Sequence, residues 1–209
     1  SLSCIRSGPG WIRQITFFYR GRKMGQKDLI QVMTQKAAAV GTIVHEISSV
    51  SDALQYAVDL NGEKKLKTMA CPGLGPKDRE RLQDLCKSSG MDLLESPLRD
   101  HASFLDTSLT WVDYGIADTG TLVLASDSEE IRIATMMAKI HIAMLPESKI
   151  RANTESIEED LNEILKKESA SYTAFITGPS RTADIERVLA IGVHGPVELH
   201  LLVIKEMQP

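Results

Sequence analysis

The chain of 209 residues contains no apolar run near the roughly 18–20 residues that cross a bilayer, so a membrane-spanning helix is not expected. It has no short apolar segment closed by a small-residue cleavage site, which argues against secretion. Cysteine is scarce. Cys4, Cys71 and Cys86 are odd in number and far apart, and so suit neither a disulfide framework nor a metal or cluster ligand set. They read as free thiols of a reducing cytoplasm. No His-x-x-x-His or Cys-x-x-Cys spacing occurs, so no metal site built from local ligands is expected. An excess of basic charge is also missing. The net charge is −4 and the pI is near 5.8, which argues against a nucleic-acid binder driven by bulk electrostatics. The loop Cys71-Pro72-Gly73-Leu74-Gly75 lacks both the Gly-x-Gly-x-x-Gly pattern and the lysine of a phosphate-binding loop. There is no internal repeat and no low-complexity segment.

What the chain does have is ordinary for a globular protein: 43% apolar and 25% charged residues, at a length that can bury a real core. The charge is unevenly spread. Residues 1–23 carry Arg6, Arg13, Arg20, Arg22 and Lys23 and no acid, which leaves 19 basic against 28 acidic residues in the remainder. No period persists through this stretch, and a clean helical pattern begins after Met24. Residues 1–23 therefore read as a non-native or disordered leader, with Met24 as the start. A transit peptide and a basic arm are the alternatives. Residues 24–209 read as one α/β domain.

Periodicity predicts helices over 28–40, from an N-cap at Ser51 to Asn61-Gly62, over 77–87 behind Pro76, over 154–167 capped by Thr154, and over about 182–190. Between them, strands are predicted at 42–46, 66–70, 91–94, 121–124, 140–145, 172–176 and 199–204. The stretch from about 97 to 112 reads as irregular, a lid or an inserted hairpin. Strands alternating with helices predict an α/β fold with a largely parallel sheet.

Two turns gather polar groups. Gly178-Pro179-Ser180-Arg181-Thr182, with Asp184 beyond it, follows the strand 172–176 and precedes the expected helix. The N-terminus of such a helix attracts anions, Ser180 and Thr182 add hydroxyls, and Arg181 adds a fork for carboxylate or phosphate. The bland alternative is that Thr182 caps the helix, Asp184 answers its dipole and Arg181 is solvated. The second turn is Asp118-Thr119-Gly120-Thr121. Asp118 suits an Asx-turn, a general base, or a partner for a substrate hydroxyl or amine. Whether it sits at the carboxyl or the amino edge of the sheet is open at this stage. His194, in Gly192-Val193-His194-Gly195-Pro196, is a candidate acid–base group. His141 and His200 lie within apolar strands and read as core-edge residues. Asp118 and His194 are thus the candidate catalytic residues. Thr119, Gly120, Thr121, Gly178, Ser180, Arg181, Thr182 and Asp184 are the candidate ligand-binding residues.

Gly115-Ile116-Ala117-Asp118-Thr119-Gly120-Thr121-Leu122-Val123-Leu124, Gly178 to Glu186, Gly192-Val193-His194-Gly195-Pro196 and the closing Glu198-Leu199-His200 resemble, in this order, the LutC/YkgG group of lactate-utilisation (LUD-domain) proteins. The resemblance covers roughly residues 24–204. It implies a three-layer α/β/α fold with a mixed, largely parallel sheet, like that of the NagB/RpiA/CoA-transferase superfamily. It implies a cytoplasmic, cluster-free accessory subunit of a bacterial system that oxidises L-lactate to pyruvate, with the iron–sulfur clusters held by partner proteins and no cofactor bound by this chain. A small anionic metabolite is the implied ligand, and homo-oligomerisation is left open. The alternative reading is a stand-alone enzyme or regulatory module for a phosphosugar, CoA ester or similar anion, with Asp118 as base, Arg181 as anion clamp and His194 as proton shuttle. One departure from the family pattern stands out. Ala138-Lys139 occupies the place where a proline-containing turn is expected before Ile140-His141-Ile142.

Overall fold

The computed structural model describes residues 25–166, 172–182, 190–191 and 195–205. The described residues open with α1 (Gln26–Ala39) and continue through β1 (Ile43–Ile47), α2 (Val50–Lys64), β2 (Thr68–Ala70), α3 (Pro76–Ser88) and β3 (Asp92–Leu93). A 3-10 turn at Leu98–Phe104 leads into β4 (Thr107–Trp111), β5 (Tyr114–Ile116), β6 (Thr121–Ser126), α4 (Glu129–Met137) and β7 (Ile140–Pro146). The last elements are β8 (Ile150–Arg151), α5 (Glu158–Lys166), β9 (Tyr172–Ile176), β10 (Arg181–Thr182), β11 (Ala190–Ile191) and β12 (Glu198–Ile204).

Six strands form one sheet in the order β1-β12-β7-β4-β2-β3, and every pairing in it is parallel. The α/β alternation predicts this, because parallel neighbours need helical crossovers. Both faces are apolar, as a covered parallel sheet requires. On one face Leu109, Ile140, Ile142, Met144, Leu202 and Ile204 pack against Leu54, Ala57 and Val58 of α2 and Leu82 and Cys86 of α3. On the other, Ala143, Leu145, Leu199, Leu201 and Val203 pack against Ile30, Met33 and Ala37 of α1 and against Leu122 and Leu124 of β6. A second sheet, β8-β5-β6-β9, covers that face beside α1. Its β5–β6 and β6–β9 pairs are antiparallel, so the mixed character resides there.

Several local expectations are corrected by packing. The N-cap of α2 is Ser49, whose hydroxyl accepts from the Asp52 amide, and the helix runs past Asn61-Gly62 to Lys64, where Lys65 turns left-handed. Burial of Leu60 and Asn61 carries the helix through the glycine. The 97–112 stretch is neither lid nor hairpin, because it delivers β4, a central strand whose Leu109 is fully buried. α4 adds a helix beyond those the periodicity predicts, because its nine residues are too few for a clear period. Thr154 does not cap the next helix through its side chain; Asn153 and Ser156 bond each other there instead. Arg181-Thr182 is a strand rather than a first helical turn, and residues 183–189 of the expected helix lie outside the described residues. The strand forms a short antiparallel pair with Ala190-Ile191, so the anion-attracting helix terminus expected at Thr182 is not formed there. The expected 1–23 leader lies outside the described residues. So do Asp184 and His194.

Candidate functional site

The two polar turns meet. β6 begins just after the first turn and β9 ends just before the second. Their antiparallel register sets Leu122 opposite Ile176. One residue further out, the Thr121 and Thr177 hydroxyls bond at 2.9 Å. Both turns rest on the C-terminal end of α1. Gly120 (φ +68°) lies so close to it that a Cβ would stand 2.4 Å from the Ala37 amide nitrogen. At Gly178 (φ +79°) a Cβ would stand 2.5 Å from the Val40 carbonyl oxygen. Glycine is required at each position by both the backbone conformation and the contact.

The first turn is also clipped from its other side. The Ala117 amide donates to the Arg151 carbonyl (2.8 Å) and the Asp118 amide to the Ala152 carbonyl (3.1 Å). Asp118 and Thr119 remain exposed. Partial desolvation, and secondarily Glu155, raise the Asp118 carboxyl above its ordinary value, while Lys36 opposes them. Arg181 sends Nη2 to the Val40 carbonyl at 3.0 Å. Val40 is the C-cap of α1, where unpaired carbonyls and the negative end of the helix dipole favour a cation. The guanidinium is thus partly committed to a helix end. The Ser180 amide donates to the Pro196 carbonyl at 2.8 Å, which ties the second turn to the segment entering β12.

These contacts decide which edge the turns occupy. Val40 to Thr42 lead into the first residue of β1, and Gly195 to Val197 lead into the first residue of β12. The turns therefore sit at the amino edge of the parallel sheet, opposite the carboxyl edge where open α/β sheets usually hold ligands. The Ala138-Lys139 departure is accommodated here. The Lys139 ammonium pairs with Asp106 at 2.6 Å, and its carbonyl accepts from the Val197 amide at 2.8 Å.

Behind the second turn a cavity of about 290 Å³ opens between β9 and the main sheet. Gly178 and Ser180 line it; Asp118 and Arg181 do not. Its floor is His141, fully buried on β7. His141 Nε2 is bonded to the Thr110 hydroxyl at 2.8 Å. Burial without a carboxylate partner depresses the imidazole to about 4, so the ring is neutral at physiological pH. His200, on the opposite face, belongs to a separate chain of contacts. Tyr56 Oη meets its Nδ1 at 2.7 Å, Glu198 meets its Nε2 at 3.1 Å, and Lys64 pairs with Glu198 at 2.7 Å. Both histidines are buried within their strands, and the cavity beside His141 is apparent in the tertiary structure. The available signal was the run of polar residues on one face of buried strands: Ser108 and Thr110 on β4 with His141 on β7.

Among the described residues no group of three or more His, Cys, Asp or Glu is placed to hold a metal ion. None of the described helices is long and apolar enough to cross a membrane.

The LUD domain pattern matches residues 30–204, which include both turns and every strand of the main sheet. The chain belongs to the LUD-domain family. It is 27% identical to Lactate utilization protein C of Anoxybacillus flavithermus over 87% of this chain and 82% of that protein. It is 32% identical to Lactate utilization protein C of Halalkalibacterium halodurans over 61% of this chain and 54% of that protein. A crystal structure of a DUF162 family protein from Deinococcus radiodurans superposes with a TM-score of 0.64, at 16% identity, over 87% of this chain and 99% of that one. At that identity the likeness supports the fold alone.

Proposed function

We propose that this LUD-domain protein serves lactate utilisation, as a cytoplasmic subunit without an iron–sulfur cluster of its own beside partner proteins that carry such clusters and oxidise lactate to pyruvate. The observation that carries this reading is the continuous similarity to Lactate utilization protein C over 87% of the chain. The geometry adds a suitable surface. The joined turns form a corner locked to α1 that exposes Asp118, Thr119 and Arg181, with Lys36 acting on Asp118 and Arg181 held at Val40. Charges of both signs on a rigid support favour a specific partner orientation more than raw affinity. A small anionic metabolite held at the same corner is the second use of those groups.

The stand-alone enzyme reading has less support. Arg181 already serves a helix end, and neither it nor Asp118 lines the cavity. The test is an anaerobic purification of the protein from its host grown on lactate, with lactate-dependent dye reduction assayed on the eluate. Co-elution of iron–sulfur proteins, with activity that requires this subunit, is the expected result. Elution of the chain alone, together with unimpaired growth on lactate after its deletion, would overturn the reading.

A further inference from the structure

The cavity behind the second turn carries an orphan. His141 Nε2 is bound by Thr110, yet its Nδ1 is fully buried with no hydrogen-bond partner. His141 lines the cavity while Thr110 does not, and Nδ1 is the ring's uncommitted polar atom. Ser108, paired directly with His141 across the strands, has a buried hydroxyl that is also unpartnered. Of these two neighbouring orphans only His141 lines the cavity, and a buried polar atom left unpaired is costly. The cost at His141 falls away when something in the cavity bonds to Nδ1.

The cavity walls indicate what that partner is. The volume of about 290 Å³ is at the lower end for small-molecule sites. Met136, Tyr172, Phe175, Ile176 and Leu199 make the lining largely apolar and aromatic, and no Lys, Arg, Asp or Glu lines it among the described residues. A charged ligand would meet no side chain of opposite charge among the described lining residues. The Thr110 hydroxyl can accept from Nε2 or donate to it, which leaves Nδ1 as acceptor or donor respectively. A ligand hydroxyl both donates and accepts, and so satisfies either tautomer; a bare carbonyl or an ammonium satisfies only one.

We propose that this cavity is a binding site for a small uncharged molecule with an apolar body and a hydroxyl group, the hydroxyl bonding to Nδ1 of His141. The site goes beyond the subunit role above, and it is tested on the purified chain independently of lactate metabolism. The full chain, with 15N-labelled histidine, is titrated with benzyl alcohol, toluene and benzoate while the ring nitrogens are followed by NMR. Benzyl alcohol is expected to give a saturable shift of the His141 nitrogens with a Kd in the millimolar range or tighter. Toluene, which lacks the hydroxyl, is expected to bind about tenfold more weakly, the equivalent of one net hydrogen bond. Benzoate is expected not to compete. Ala174→Trp fills the cavity from the β9 wall while keeping His141, and is expected to abolish the shift with folding retained. No saturable shift, equal affinity for toluene, tighter binding of benzoate, or a shift that survives Ala174→Trp would each overturn the proposal.

Discussion

His141 shows how burial changes what a residue does. On sequence grounds a histidine inside an apolar strand is simply part of the core, and at physiological pH this one is indeed uncharged. Its proton linkage still has a measurable consequence. The folded imidazole stays neutral down to about pH 4, whereas an unfolded histidine takes up its proton near 6.5. Between those values the unfolded state binds more protons, so stability falls as pH falls. The loss attributable to His141 approaches about 3 kcal/mol at the acid end of the window. His200 is depressed in the same direction, by burial against the opposing pull of Glu198. Urea unfolding from pH 7.5 down to 4.5 is expected to show this decline, with a shallower slope in His141→Gln. Equal slopes would mean that the imidazole is solvated in the folded state. The Asp118 carboxyl moves the other way, held up by desolvation, so its ionisation adds no stability near neutral pH.

At the scale of elements, the candidate site is a junction between two turns and one helix end. Neither turn is self-sufficient: each uses a left-handed glycine to lie against α1. Gly120→Ala places a methyl group against the Lys36–Ala37 backbone, which has no flexible end to move aside, and also strains the turn. The two effects together are expected to cost about 2–4 kcal/mol, or a drop in Tm of roughly 5–12 °C for a protein of this size. Gly62 is the contrasting case. It lies in α2, and nothing within 4 Å would meet an added Cβ. Gly62→Ala is expected to stabilise by about 0.5–1 kcal/mol, through helix propensity and a less flexible unfolded chain. A thermal melt of the two variants checks both signs at once; a Gly120→Ala protein as stable as the parent would mean that the turn does not rest on the helix. The same junction explains Arg181. Its sequence context suggested an anion clamp, and its first partner is the carbonyl of a helix C-cap.

Across the whole molecule, the six-stranded sheet divides the core into a side covered by α2 and α3 and a side covered by α1 and the second sheet. Cys71 and Cys86 lie deep in the first side, 4% and 1% exposed. Desolvation pushes the Cys71 thiol up to about 12 and raises Cys86 as well, so neither forms appreciable thiolate at pH 8. Both are expected to resist a thiol reagent in the native protein and to react in step with loss of the core during urea unfolding. Mass mapping of the labelled sites separates them from Cys4. Rapid labelling of either buried cysteine without denaturant would show that the α2–α3 layer opens locally.

Much of this architecture was legible before any coordinates. Alternating apolar strands and amphipathic helices dictated a largely parallel α/β sheet, because parallel strands demand crossovers. The cluster Asp118-Thr119-Gly120-Thr121 and the run Gly178 to Thr182 marked the places where the backbone must turn tightly. Local propensity is a weaker guide where other contacts compete: Ser49 rather than Ser51 caps α2, burial of Leu60 and Asn61 carries that helix through Gly62, and Arg181-Thr182 pairs as a strand with Ala190-Ile191. Tertiary packing alone settled that both turns share one corner and that the corner lies at the amino edge of the sheet. It also settled that Arg181 caps α1 and that His141 floors a cavity. These depend on distances between residues far apart in the chain, such as Thr121 and Thr177 or Arg181 and Val40, and hydrophobic periodicity carries no information about such distances.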